Sequence, residues 1–189
     1  VIFNQDINSW NTISATRTDV MFYKSVFNKP IGDWRVENVT NMQGMFADTK
    51  FNQDIGNWDV SKVKDMSYMF DTSVFNQDIG GWDVSNVRIM HSMFWIGSNF
   101  NQDISSWDVG NVINMINMFR EAASFNQDIG DWDVSKVIDM DRMFYAAETF
   151  NKDLSNWCVT NVSNEPPEFS SLSPLTEANK PVWGTCPDN

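Results

Sequence analysis

The stretch "FNQDIGNWDVSKVKDMSYMF" runs from Phe51 to Phe70 and returns as "FNQDIGGWDVSNVRIMHSMF" from Phe75 to Phe94. Working outward from it, Phe3, Phe27, Phe51, Phe75, Phe100, Phe125 and Phe150 open seven repeats, in steps of 24 or 25 residues. Seven residues after each stands a tryptophan: Trp10, Trp34, Trp58, Trp82, Trp107, Trp132 and Trp157. A fixed period of this length marks stacked repeats, each too small to bury its apolar face alone. All 11 methionines fall in two columns, Met42, Met66, Met90, Met115 and Met140, and Met21, Met45, Met69, Met93, Met118 and Met143. A residue type confined to fixed columns is used for packing, and the flexible, polarizable thioether suits contact with aromatic rings.

Two periodicities share each repeat. In "FNQDIGNWDV", Phe51, Ile55, Trp58 and Val60 carry the apolar content, which fits short extended pieces joined by a turn at Gly56-Asn57. In "SKVKDMSYMF", Val63, Met66, Met69 and Phe70 sit at i, i+3, i+6 and i+7, one stripe of a short helix. Ser61, Ser85 and Ser135 stand where N-caps belong. The expectation is an α/β repeat, a leucine-rich-repeat-like solenoid over residues 1–162 with parallel strands on one face and short helices on the other. A pure β-solenoid is the alternative, if the V-x-x-M-x-x-M spacing encodes bends. Residues 163–189 are expected to fold back as a C-terminal cap: Pro166-Pro167 stops a seventh helix, and Trp183 plugs the end. Repeat one has no dedicated cap.

With 25 acidic and 13 basic residues in 189, the formal net charge is −12. That excludes nucleic acid, whose binders need clustered Lys and Arg, and docking on anionic lipid. No apolar run approaches the length of a membrane span. Val1, in register with a repeat, reads as an artificial or a processing boundary, before which a secretion signal could have been removed. The two cysteines, Cys158 and Cys186, flank one terminal segment, which suggests a single bridge and an oxidising compartment.

The remaining columns are candidate sites. Asn4, Asn28, Asn52, Asn76, Asn101, Asn126 and Asn151 read as an asparagine ladder bonded to backbone. Asp6, Asp54, Asp78, Asp103, Asp128 and Asp153 form one acidic column, interrupted by Pro30; Asp59, Asp83, Asp108 and Asp133 form a second. Stacked carboxylates repel, so backbone donors or a hard cation such as calcium must offset them. The spacing matches no calcium loop, so no metal ligand and no cofactor are assigned. The repeated tryptophans are in phase with Ile and Val and belong to the core, each indole N–H needing a partner. Trp95, in the variable stretch "WIGSN", is expected to be exposed and is the best single contact residue. The lone His91 has no repeated partner, and no nucleophile, phosphate loop or zinc spacing is present, so no catalytic residue is assigned.

The core "W-D-V-S-x-V-x-x-M-x-x-M-F" and the "F-N-Q-D-I" that follows it resemble the repeats of BspA-like leucine-rich-repeat bacterial surface proteins, over about Phe3 to Val162. The tail "ANKPVWGTCP", Ala178 to Pro187, looks like the ending of such arrays in secreted bacterial proteins. Repeat one departs from the pattern, with Thr12, Ala15 and Thr18 in place of Val, Val and Met. The resemblance implies an extracellular or cell-surface module, a non-enzymatic adhesion or interaction protein, and no family active site. The leading expectation is a monomer that binds a protein or surface partner through the repeat face, without membrane insertion. Carbohydrate binding through Trp95, other exposed aromatics and the Asn/Asp stripes is the first alternative, and a structural stalk or spacer the second.

Overall fold

A computed structural model of the chain describes residues 3–96 and 99–187; Val1 and, within "WIGSN", Gly97 and Ser98 lie outside the described residues. Each repeat lies on the next, but neither solenoid read from the sequence is found. Among the described residues there is no α-helix, and the one helical piece is a 3-10 turn at Glu177–Asn179. Extended pairing shrinks to five isolated parallel bridges, Arg17 to Asn41, Asn41 to Asp65, Asp65 to Ile89, Ile89 to Asn114 and Asn114 to Asp139. The rest is turns and irregular chain.

The reason lies in where the backbone N–H groups point. A helix directs all of them to carbonyls four residues back. From Met66 to Thr72 they alternate. Met66, Tyr68, Phe70 and Thr72 donate to Ile89, His91, Met93 and Trp95 of the next repeat at 2.7–3.0 Å, whereas Met69 and Asp71 close tight turns onto Met66 and Tyr68 at 3.1–3.2 Å. Left-handed residues make the alternation possible. Tyr68 has φ 57° and Thr72 φ 51°, and the pair recurs as Val20 and Lys24, Ser92 and Ile96, Asn117 and Glu121, Arg142 and Ala146. Gly44, φ 58°, holds the first of these places in repeat two. The apolar stripe Val63, Met66, Met69 and Phe70 is buried as expected, but consecutive turns produce it.

Two more turns complete a repeat. Trp58 N–H closes onto Ile55 O at 3.1 Å, around Gly56-Asn57 as the sequence indicates, and Val63 N–H closes onto Val60 O at 2.9 Å. Ser61 is not a helix cap. Its N–H and hydroxyl both donate to Asp59 Oδ1, at 3.1 and 2.6 Å, and Ser85 does the same to Asp83. Ser135 N–H likewise donates to Asp133 Oδ1 at 3.0 Å.

Two columns of phenylalanine rings run through a core that buried Ile, Trp, Val and Met columns complete. Within a repeat pair, Phe70 stacks on Phe75 at 4.1 Å; along the stack, Phe46 lies 5.8 Å from Phe70, and Phe51 6.2 Å from Phe75. Buried aromatic area of this kind dominates core energetics. From Phe27 to Phe150 the ring columns are fully buried, as are Met42 to Met143.

The two ends differ. At the C-terminus, Arg142, Phe144 and Ala146 donate to Pro167 O, Phe169 O and Ser171 O at 2.8–3.0 Å, so the chain past Val162 first completes the seventh layer. Pro166 falls where Met42, Met66, Met90 and Met115 donate to a following repeat, and proline has no N–H to offer. Trp183 then sits edge-on against Phe169, centroids 4.9 Å apart. Cys158 and Cys186 are disulfide-bonded, Cα atoms 4.0 Å apart, which ties the tail to the last layer. At the N-terminal layer, Trp10 is 56 % exposed, while Met21 and Tyr23 are about half exposed.

Candidate functional site

The regular columns are occupied with holding the stack together. Each Asn side-chain oxygen accepts the backbone N–H of the Asn one repeat on, from Asn28 onto Asn4 to Asn151 onto Asn126, at 2.9–3.3 Å. Thr176 N–H continues the ladder onto Asn151 at 3.2 Å. Each core indole N–H donates to an Ile carbonyl of the preceding repeat at 2.9–3.2 Å, Trp34 to Ile7 through Trp157 to Ile129. Those rings are buried and offer no open face to a sugar.

The acidic columns have a local explanation. Asp54, Asp78 and Asp128 accept the N–H of Gly56, Gly80 and Gly130, and Asp103 that of Ser105. In the second column Asp108 accepts Gly110 N–H, beside the Asp59, Asp83 and Asp133 bonds already described. A third column does the same: Asn41, Asp65, Asn114 and Asp139 accept the N–H two residues on. Asp and Asn favour this turn because a short side-chain acceptor reaches its own backbone two residues on. The bonds stabilise the ionised form. Ser61 holds the Asp59 carboxyl below its ordinary range, Ser105 does so for Asp103, and Ser135 for Asp133. Among the described residues, no group of three or more His, Cys, Asp or Glu is placed to hold a metal ion.

The position just after each "MF" pair varies, and every residue in it but Ala47 reaches the surface at least in part. In order along the stack it holds Tyr23, Ala47, Asp71, Trp95, Arg120 and Tyr145, whose carbonyls mark them as equivalent by accepting from Lys24, Asp48, Thr72, Ile96 and Glu121 of the layer before, starting at Ala47. Trp95 is only partly exposed, and its indole N–H is buried with no hydrogen-bond partner among the described residues. The Arg120 guanidinium lies between the rings of Trp95 and Tyr145, 5.1 Å from each centroid. Glu121 Oε1 accepts from Arg120 Nε at 3.1 Å. Cation–π contacts of this kind contribute about 0.5–1 kcal/mol when exposed and more when desolvated. Trp95 is therefore one member of a three-layer aromatic–guanidinium stack. The sequence singled out Trp95 but missed Arg120 and Tyr145, because their meeting depends on the exact phase of the 25-residue steps.

Asp71 precedes Trp95 in this column. Burial pushes its carboxyl up, and among the described residues its one hydrogen-bond partner is the Thr72 hydroxyl at 2.9 Å. His91 packs edge-on against Tyr68, centroids 4.3 Å apart, and burial holds its imidazole below the usual histidine range, against the pull of Asp65 and Asp139.

A family model described as "Mycoplasma protein of unknown function, DUF285" matches residues 1–95 and again 71–181. These two matches cover most of the chain, which belongs to the DUF285 family of repeat proteins. No curated protein and no solved structure matches it.

Proposed function

We propose that the chain is a non-enzymatic interaction module of a secreted or cell-surface bacterial protein, binding a protein or surface partner through its outward variable column. The observation that supports this is a division of labour among positions. Asn and Trp columns are spent on layer-to-layer bonds, Asp columns on turns within a layer, and Phe and Met columns on the core, while Tyr23, Asp71, Trp95, Arg120 and Tyr145 differ from layer to layer at or near the surface. The disulfide fits an oxidising compartment, and the family's description supplies a Mycoplasma context. The likeness of the W-D-V-S-x-V-x-x-M-x-x-M-F phrase to BspA-like surface repeats points the same way. The test is saturable binding of the purified chain to isolated surface proteins, compared with a variant carrying Trp95→Ala, Arg120→Ala and Tyr145→Ala. Loss of binding with an unchanged melting temperature supports the reading; equal binding by both proteins removes it.

A further inference from the structure

We propose that the recess over Ala47, between Tyr23 and Asp71, receives an arginine side chain of a partner protein; this rests on the interaction reading above and names the chemistry its partner must bring. The recess holds about 320 Å³ and is lined by Val20, Tyr23, Ala47, Tyr68 and Asp71 among others. It is built like a place the chain fills elsewhere. Three layers further on, Arg120 fills the space between Trp95 and Tyr145, with a carboxylate, Glu121, on its Nε. At Ala47 the same column carries only a buried methyl group, and the recess opens above it where a longer side chain would lie.

The walls of that space match the needs of a planar cation. Tyr23 and Tyr68 supply aromatic surface, and Tyr23 is about half exposed. Its ring already draws one cation, the exposed Lys24 ammonium, at 5.1 Å. Asp71 supplies the carboxylate. It is half-buried, and among the described residues it is bonded only to a neutral hydroxyl and no basic group lies within ion-pair distance of it. A guanidinium fits better than an ammonium because it stacks flat on rings while its N–H groups form directed bonds to a carboxylate. The chain's net charge of −12 favours approach of a basic partner.

The experiment follows the Tyr23 and Tyr68 ring resonances of the whole chain by NMR while blocked Gly-Arg-Gly is titrated in, with the neutral isostere Gly-citrulline-Gly as comparison. The arginine peptide is expected to shift both rings with an affinity on the order of millimolar, and the citrulline peptide to bind at least about tenfold more weakly, as a lost charge-assisted bond requires. Asp71→Asn, checked by its melting temperature, should weaken the arginine peptide about tenfold. Ala47→Arg should fill the recess from within and abolish binding. Equal binding of both peptides, unchanged affinity in Asp71→Asn, or no ring shift with the arginine peptide overturns the proposal. Free arginine binding where the peptide does not would make this a small-molecule site and overturn it as well. Capture of a surface partner equally by wild type and Asp71→Asn would leave the interaction module standing and remove this recess from it.

Discussion

Asn101 Oδ1 accepts the backbone N–H of Asn126 at 2.9 Å, and the same oxygen takes Gln127 Nε2 at 2.8 Å. One side-chain atom thus satisfies two donors of the next layer, and Asn101 in turn donates its own N–H to Asn76 at 3.0 Å. Removing the acceptor leaves a backbone N–H without its bond. Asn101→Ala is expected to cost about 1–2 kcal/mol, measured by urea unfolding. Hydrogen exchange at the Asn126 amide should accelerate more than at the Asn76 amide. Asn101→Asp keeps an acceptor and should lose less. Equal exchange at both amides would show that the ladder contributes nothing at this joint.

The ladder, the Trp slots and the Gly56-Asn57 turn were legible because each follows from a residue type with one strong local preference in a fixed column. The layers between were not. Val63, Met66, Met69 and Phe70 have helical spacing, yet the backbone alternates between right- and left-handed residues. A run of glycines would have announced this. Of the seven residues in the Tyr68 column, one is glycine and one asparagine; the others are Val20, Tyr68, Ser92, Arg142 and Glu168, side chains that read as ordinary helix surface. The bonds between layers hold these residues in the left-handed region, and no single repeat contains that information. The arginine stack was hidden for a related reason. Trp95, Arg120 and Tyr145 become neighbours only when three layers are superposed in the correct register.

Left-handed backbone at a β-branched residue is the clearest test of that account. Val20 has φ 50° and is about half exposed, so it gains little from burial. Left-handed geometry costs an L-residue roughly 1–2 kcal/mol, whereas glycine and asparagine adopt it readily. Val20→Asn is expected to raise stability by about 0.5–1 kcal/mol by that estimate, and the opposite change, Gly44→Val, to lower it by more. At Gly44 an added Cβ would also sit 3.3 Å from Val20 Cγ1. Thermal melts of the two variants should move in opposite directions. A stabilised Gly44→Val would contradict the left-handed layer.

The bond between Cys158 and Cys186 closes a loop with a sequence separation of 28 residues. On the chain-entropy model a crosslink of this span stabilises by roughly 3–4 kcal/mol. The loop carries Phe169 and Trp183, the residues that close the C-terminal end. Cys158→Ser with Cys186→Ser should therefore lower the melting temperature and increase binding of a hydrophobic dye, as Phe169 and Phe144 become reachable. Mild reduction should reproduce the shift in the wild type and leave the double variant unchanged. A wild-type melt indifferent to reductant would mean that the tail is held by packing alone.

His91 gives the stack a pH dependence whose sign follows from its surroundings. Burial against Tyr68 disfavours the imidazolium in the folded chain, so its affinity for a proton is lower there than in the unfolded chain. The neutral ring's contribution is complete above the unfolded value near 6.5 and is lost as pH falls through the lower folded value. Asp71 works in the other direction, since its raised carboxyl takes up a proton more easily when folded. Comparison with His91→Gln separates the two. The stability difference between wild type and His91→Gln should be constant above about pH 7 and shift against the wild type as pH falls toward 5. Chemical denaturation at several pH values measures it. A difference that stays flat throughout would show that His91 is not desolvated in its layer.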